Sequence, residues 1–311
     1  MLRFSVIIPV YNTAPYLAAC LDSVFAQPQE VEVICVNDGS TDHSADILQA
    51  YKEQYPQMVV LTQTNAGLSA ARNAGIRAAT GEYVLFLDSD DCLLPNAFAE
   101  LEKAVVANNP DVVAFNSTLW FAENTEEERT EPNTLFNHTE ARVFDCGMDY
   151  LKYFVRQRGW GPSAACFYAY RREMLDENRL SFPVGMLHED ELFVPQALCL
   201  AGRVVTLPQP LYLYRMRTTS IVHTQRHRNI DDKLKIANLL FDFFRTQGLR
   251  SKYTDRIVYN LSLNAAIGLA TNGQRISYGL LMRTAHTPKE YIKALTVGRK
   301  RYKGNFYKFP V

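Results

Sequence analysis

Over its first ~117 residues the chain alternates apolar, β-branched runs with stretches of helical spacing, joined by short links. The runs predict strands over 4–8, 31–36, 58–61, 83–87 and 112–115, because compact Val/Ile/Phe/Tyr-rich segments of this length read as buried strands. Between them the spacing predicts helices over 16–27, from Ser40-Thr41-Asp42 towards Tyr55, over 68–79 and over 96–108. Strand and helix in strict alternation leave one economical solution, an α/β fold with a mostly parallel sheet covered by helices on both faces. In such sheets ligands bind beyond the carboxyl ends of the strands, so those ends are where function is expected.

From residue 118 the pattern loosens. Five glutamates between Glu123 and Glu131, then Pro132 and Asn133, predict an exposed hairpin or loop with a solvated charged face. A helix over 149–158, a strand over 166–170, a turn at 183–186, a helix over 190–201 and short strands over 204–207 and 211–214 follow. Helical spacing over 229–247 and 252–270 predicts a C-terminal helical appendage. The expected organisation is therefore 1–117, 118–225 and 226–311, the first two belonging to one domain.

Composition removes whole classes of function. Thirty-three Lys+Arg balance 33 Asp+Glu, which gives no electrostatic footprint for nucleic acid. The longest apolar stretch, 257–270, is interrupted by Asn260, Ser262 and Asn264 and falls short of the ~18 residues of a membrane span. The first apolar run ends at Pro9, too soon for a secretory signal. Six scattered cysteines without metal-ligand spacing read as reduced core thiols of a cytoplasmic protein.

The strand ends concentrate polar groups: Pro9-Val10-Tyr11-Asn12 after the first, Asn37-Asp38-Gly39-Ser40-Thr41-Asp42 after the second, Asp88-Ser89-Asp90-Asp91 after the fourth. Caps and turn formers explain Asp42 and Asp91. They explain Asp88 and Asp90 together poorly, since adjacent carboxylates repel. A divalent cation removes that repulsion, and carboxylate oxygens suit Mg²⁺ or Mn²⁺, which also take substrate phosphates as ligands. Neither a Gly-x-Gly-x-x-Gly turn nor a Gly-x4-Gly-Lys-Ser/Thr loop is present, so a diphosphate would rest on metal and cationic side chains such as Arg72.

Taken together, residues 5–12, Val36-Asn37-Asp38-Gly39-Ser40-Thr41-Asp42, Asn65-Ala66-Gly67-Leu68-Ser69-Ala70-Ala71-Arg72-Asn73 and Phe86-Leu87-Asp88-Ser89-Asp90-Asp91 resemble, in order and spacing, the motifs of family 2 glycosyltransferases of the bacterial surface-polysaccharide type. His188-Glu189-Asp190-Glu191-Leu192-Phe193 resembles the same family's Glu-Asp-x-x-Phe element. The resemblance implies a GT-A-like, Rossmann-related sheet whose residues 1–117 bind a nucleotide-sugar, with the catalytic base and acceptor side in 118–225. It implies inverting transfer, UDP-sugar to hydroxyl, with Mn²⁺ or Mg²⁺.

Residue by residue, the resemblance gives Asp38 the uracil N3–H, Tyr11 a place beside the base, and Pro9, Asn12 and Ser89 places in the donor pocket. Asn65 and Arg72 line that pocket near the phosphates; Asp88 contacts ribose or metal, and Asp90 ligates the metal. Asp190 becomes the catalytic base, with Glu189 orienting the acceptor or exchanging roles with it; as plain structure, both are favourable first-turn acids of a helix. In Tyr212 to Ile221, similar to the family's donor-closing segment, Arg215 or Arg217 would pair with the diphosphate, and His223 would be a third metal ligand or an exposed histidine. The acceptor is a glycan or a lipid-linked sugar. The basic and aromatic stretch from Arg299 to Phe309 would suit contact with an anionic inner membrane face. Two other classes compete: a catalytically silent nucleotide-sugar-binding protein, and a phosphohydrolase built on Asp88-Ser89-Asp90.

Overall fold

The computed structural model describes residues 3–121, 129–134, 137–216, 226–271 and 279–297. In chain order its elements are β1 (Phe4–Val10), α1 (Ala14–Phe25), β2 (Glu32–Asn37), α2 (Ser44–Gln54), β3 (Val59–Thr62), α3 (Leu68–Ala78), β4 (Tyr83–Phe86), β5 (Cys92–Leu93), α4 (Ala97–Asn108) and β6 (Val112–Phe121). There follow β7 (Arg129–Pro132), β8 (Arg142–Phe144), α5 (Gly147–Arg158), β9 (Tyr168–Arg171), α6 (Arg172–Glu177), α7 (Asp190–Leu200), β10 (Val204–Arg215), α8 (Arg226–Thr246), α9 (Lys252–Thr271), α10 (Gly279–Thr284) and α11 (Pro288–Thr296). They form two compact units, neither continuous in sequence: Met1–Met148 with Ala164–Gly185 and Leu200–Thr218, and Asp149–Ser163 with Met186–Cys199 and Thr219–Val311.

The first unit is a helix-flanked sheet in the order β3-β2-β1-β4-β9-β6-β10-β5, with β7 on β6 and β8 on β10. Pairing is parallel across β3, β2, β1 and β4 and again between β6 and β10. Strand β9 runs antiparallel between β4 and β6, an insertion that local periodicity does not reveal. Val6, Ile7, Ile8, Val10, Ile34, Cys35 and Val36 are wholly buried, as expected of central strands covered on both faces. Each large aliphatic side chain so buried contributes roughly 1.5–3 kcal/mol. The register aligns Val10 with Asn37 and Ile7 with Phe86, so the loops after β1, β2 and β4 emerge at one edge.

Two strands expected at 204–207 and 211–214 are one. Pro208 and Pro210 lack N–H donors and interrupt the pattern. The ladder takes them up through register shifts between Leu207 and Pro210 and between Pro210 and Tyr212. The acidic hairpin reading is partly visible: β7 returns antiparallel along the end of β6.

In the second unit α8 packs along α9, and Tyr259, Leu263, Ala266 and Ile267 of α9 share a core with Leu281, Ala285, Ala294 and Val297. Helix α11 opens on a reciprocal cap, the Thr287 hydroxyl accepting from the Glu290 amide while the Glu290 carboxylate accepts from the Thr287 amide. Among the described residues no helix is long and apolar enough to cross a membrane. All six cysteines are free thiols, five buried and Cys146 exposed.

Candidate active site

At the carboxyl edge of β1 and β2 the motif residues first hold one another. The Asn12 side-chain oxygen accepts from the Thr41 amide at 2.8 Å, and the Asn12 amide donates to the Ser40 hydroxyl at 3.2 Å. Asn12 sits at φ +53°, in the left-handed region that asparagine tolerates better than most residues. Asn37, one residue before the expected base-reading acid, accepts from the Ser40 amide at 2.9 Å and shapes the turn. Asp42 accepts from the amides of both Ala14 and Ser44. Burial would raise its carboxyl, but the Ser44 hydroxyl and these amides hold it below the ordinary range.

Asp38 is 3% exposed. Its Oδ1 accepts from Gln63 Nε2 at 2.7 Å and the Ala66 amide at 2.9 Å, and its Oδ2 accepts from the Gly67 amide at 2.8 Å. A carboxylate offers about four acceptor positions, so one remains after these three donors. The loop is fitted closely: Gly39 has φ +72°, and a Cβ there would stand 2.9 Å from the Asn65 amide nitrogen. Gly67, at φ +88°, turns the chain into α3. Pro9 is buried within β1, while Tyr11 and Asn65 are exposed at the edge.

After β4, Arg72 reaches up from α3. Its side chain is 2% exposed, its Nη2 donates to Asp88 Oδ1 at 2.8 Å, and its guanidinium lies over the Phe182 ring at 5.2 Å. Asp88 Oδ2 has no partner among the described residues. Ser89 is buried and accepts from the Thr13 hydroxyl at 2.9 Å. Asp90 accepts through its main-chain carbonyl from Arg215 Nε at 2.8 Å. The Arg215 guanidinium stacks over Trp120 at 3.7 Å and Tyr16 at 5.0 Å.

Asp91 departs from the turn-former reading. It is 2% exposed, and it accepts from the Tyr212 hydroxyl and from the Arg215 amide, each at 2.7 Å. The same Tyr212 oxygen accepts from the Asp88 amide at 3.2 Å. Burial first, then the charges of Asp90 and Asp88, push the Asp91 carboxyl well up from the usual carboxylate range. Gln63 and Phe182 carry no local signal, and the resemblance of the segment from Tyr212 to Ile221 does not reveal the bond of Tyr212 to Asp91; each meets its partner across a long sequence separation.

In the second unit, Glu189 is buried and Asp190 begins α7. The Glu189 carbonyl accepts from the Phe193 amide at 3.0 Å. His188 is held at φ +62° immediately before, a conformation that costs a non-glycine residue of the order of 1–3 kcal/mol and clusters at functional sites. Arg217, His223 and the 299–309 stretch lie outside the described residues. Among the described residues no three His, Cys, Asp or Glu side chains converge as a metal-binding group.

Comparison with known proteins adds what geometry alone cannot. The Glycosyl transferase family 2 model matches residues 5–178. The glycosyltransferase YibD of Escherichia coli strain K12 is 33% identical over 262 residues, 82% of this chain and 73% of YibD. The Staphylococcus aureus poly(ribitol-phosphate) β-N-acetylglucosaminyltransferase TarS is 26% identical over 83% of this chain and 43% of its own length. The crystal structure of TarS 1–349 with UDP-GlcNAc superposes with a TM-score of 0.65 at 21% identity, covering 99% of this chain and 93% of that one. A mannosyltransferase from Pyrobaculum calidifontis in complex with GDP-Man and Mn²⁺ superposes with a TM-score of 0.57 at 19% identity, over 97% and 81% of the two chains. The two structures share the fold.

Proposed function

The chain belongs to glycosyl transferase family 2, a family of glycosyltransferases, and from that premise we propose that it moves a sugar from a UDP-sugar to a hydroxyl of a glycan or lipid-linked acceptor, with inversion. The observation that carries the donor side is Asp88. One of its oxygens is locked to buried Arg72, and the other has no partner among the described residues at the strand edge. Asp38 keeps one acceptor position of its carboxylate, suited to the imide N3–H of uracil. Tyr11 and Asn12 border the base, Pro9 and Ser89 shape the floor, and Asn65 and Arg72 face the phosphates. Arg215, whose Nε donates to the Asp90 carbonyl, supplies positive charge beside Asp90, and Arg217 would add to it.

The donor set suits a hard divalent cation. Asp88 and Asp90 offer carboxylate oxygens, and after burial their charges are what raise the neighbouring Asp91 carboxyl. Mg²⁺ and Mn²⁺ sites of this kind need few protein carboxylates, the substrate phosphates completing them. Asp88 and Asp90, with His223, would hold Mn²⁺ or Mg²⁺, which when bound neutralises charge on the departing diphosphate. Asp190 takes the proton of the acceptor hydroxyl as its oxygen bonds to the anomeric carbon and the bond to the nucleoside diphosphate breaks. Glu189 orients that hydroxyl. We read the location as cytoplasmic, at the inner face of the membrane, where the 299–309 stretch would meet anionic lipid.

Calorimetric titration of UDP and GDP, each with and without Mn²⁺, tests this reading. Mn²⁺-dependent binding of UDP, with GDP at least roughly tenfold weaker, is expected. Equal binding of both nucleotides would remove Asp38 as the base reader, and binding of neither would remove the donor site.

A further inference from the structure

The second unit contains a cleft that the donor reading does not use. It lies where the loop 159–163 faces the start of α7 and the middle of α9, and it is lined by Trp160, Ser163, Glu191, Ile257, Asn260 and Asn264 among others. Its framework is fixed. Asn260 Nδ2 donates to the Gly159 carbonyl at 2.6 Å. A Cβ on Gly161 would come within 2.7 Å of Ile257 Cγ2, so the loop backbone rests directly on α9. At the loop's base, Arg156 Nε donates to the Tyr253 hydroxyl at 2.6 Å.

Several side chains lining this rigid frame are, by contrast, unengaged. Among the described residues the Trp160 indole N–H, the Ser163 hydroxyl and the Asn264 carboxamide have no hydrogen-bond partner. Glu191 Oε2 is buried without one, while its Oε1 lies 3.5 Å from Lys233 Nζ. A buried carboxylate oxygen is normally satisfied, so the unpaired Glu191 Oε2, beside an indole and the part-exposed Ser163 and Asn264 around one preformed cleft, marks a ligand's place. Their chemistry selects the ligand. An indole face, an amide, a hydroxyl and a carboxylate match a pyranose, which has an apolar C–H face and a rim of hydroxyls that both donate and accept. The cleft's carboxylate, with its cation already paired, disfavours a phosphate.

We propose that this cleft is a subsite for a neutral sugar of the acceptor, seated on Trp160 and hydrogen-bonded by Ser163, Glu191 and Asn264. The inference rests on the reading of Asp190 as base, since Asp190 immediately precedes Glu191 at the start of α7. The enclosed recess is about 50 Å³, against the ~10–15 Å³ needed by one water. It therefore admits a hydroxyl-bearing arm while the ring lies across the mouth.

Saturation-transfer NMR with methyl β-D-glucopyranoside, methyl β-D-N-acetylglucosaminide and UDP, each added to the full chain with Mn²⁺, tests the subsite. Saturation of the ring protons of at least one glycoside is expected. Trp160→Ala should weaken that glycoside about tenfold, and Asn264→Ala, which keeps the test valid if the first variant fails to fold, about threefold to tenfold; UDP should be saturated equally in all. No saturation of either glycoside by the wild-type chain, or unchanged affinity in Asn264→Ala, overturns the subsite. UDP resonances are read separately: glycoside saturation without UDP saturation supports the subsite while removing the donor reading, and the reverse removes the subsite alone.

Discussion

The strand edge of the first unit and the cleft of the second achieve order in opposite ways. At the edge, the motif side chains are spent on the backbone: Asp38 holds the amides of Ala66 and Gly67, Asn12 holds Thr41, and Asp42 holds Ala14 and Ser44. In the cleft the backbone is fixed by helix packing, and Trp160, Ser163 and Asn264 are left for a partner. The first arrangement would fix loops around a constant feature, the nucleoside diphosphate of the proposed donor. The second leaves specificity to a few side chains, which suits whatever varies between related enzymes. Transfer needs both, and the two halves should fail differently.

The largest separation of the two is expected at Asp190. Asp190→Asn keeps the shape and removes the base, so transfer should fall roughly 10²–10⁴-fold while calorimetric UDP binding stays within about twofold of wild type. Turnover near the wild-type level would take the base role from Asp190, and a parallel fall in UDP affinity would show that α7 supports the donor site as well.

A smaller effect, confined to the edge, is expected at Gly39. Gly39→Ala places a Cβ 2.9 Å from the Asn65 amide nitrogen at a backbone φ of +72°. The left-handed conformation alone costs about 1–2 kcal/mol in an alanine, and relief of the contact displaces the loop whose amides hold Asp38. UDP affinity should drop roughly fivefold to thirtyfold, with glycoside saturation in the cleft unchanged. Loss of both signals together would mean that the two regions are one cooperative structure.

The same contrast explains what could be read in advance. The turns around Asp38, Gly39 and Gly67 are satisfied by residues close by in sequence or one strand away, so their chemistry leaves a compact motif. The alternation that predicts β1 to β6 is similarly local. Strand β9 enters the sheet between β4 and β6 from more than fifty residues downstream, and nothing in its own pattern specifies that place. Asp91 reads as an ordinary turn residue because its hydroxyl partner, Tyr212, is 121 positions away. The cleft is harder still: Trp160, Glu191 and Asn264 acquire meaning only when three segments pack together.

Asp91 offers the finest test, because its effect is a change with pH. Burial and the neighbouring charges of Asp90 and Asp88 raise its carboxyl in the folded chain. Below the ordinary carboxylate value of 3.8 both folded and unfolded chains carry the proton. As pH rises past that value the unfolded chain ionises first and the folded one resists, so the folded state binds more protons and stability declines until the raised value is passed. Asp91→Asn has no such dependence, although it loses part of the pairing with Tyr212 and the Arg215 amide. The stability deficit of Asp91→Asn, measured by urea unfolding in chelator, should therefore be smaller at pH 8 than at pH 5. A deficit independent of pH would mean that the Tyr212 and Arg215 hydrogen bonds to the carboxylate fully offset its burial. Adding Mn²⁺ sharpens the comparison: a cation shared by Asp88 and Asp90 offsets the charge that Asp91 feels, so the wild-type pH dependence should flatten, while glycoside binding in the cleft should show no response.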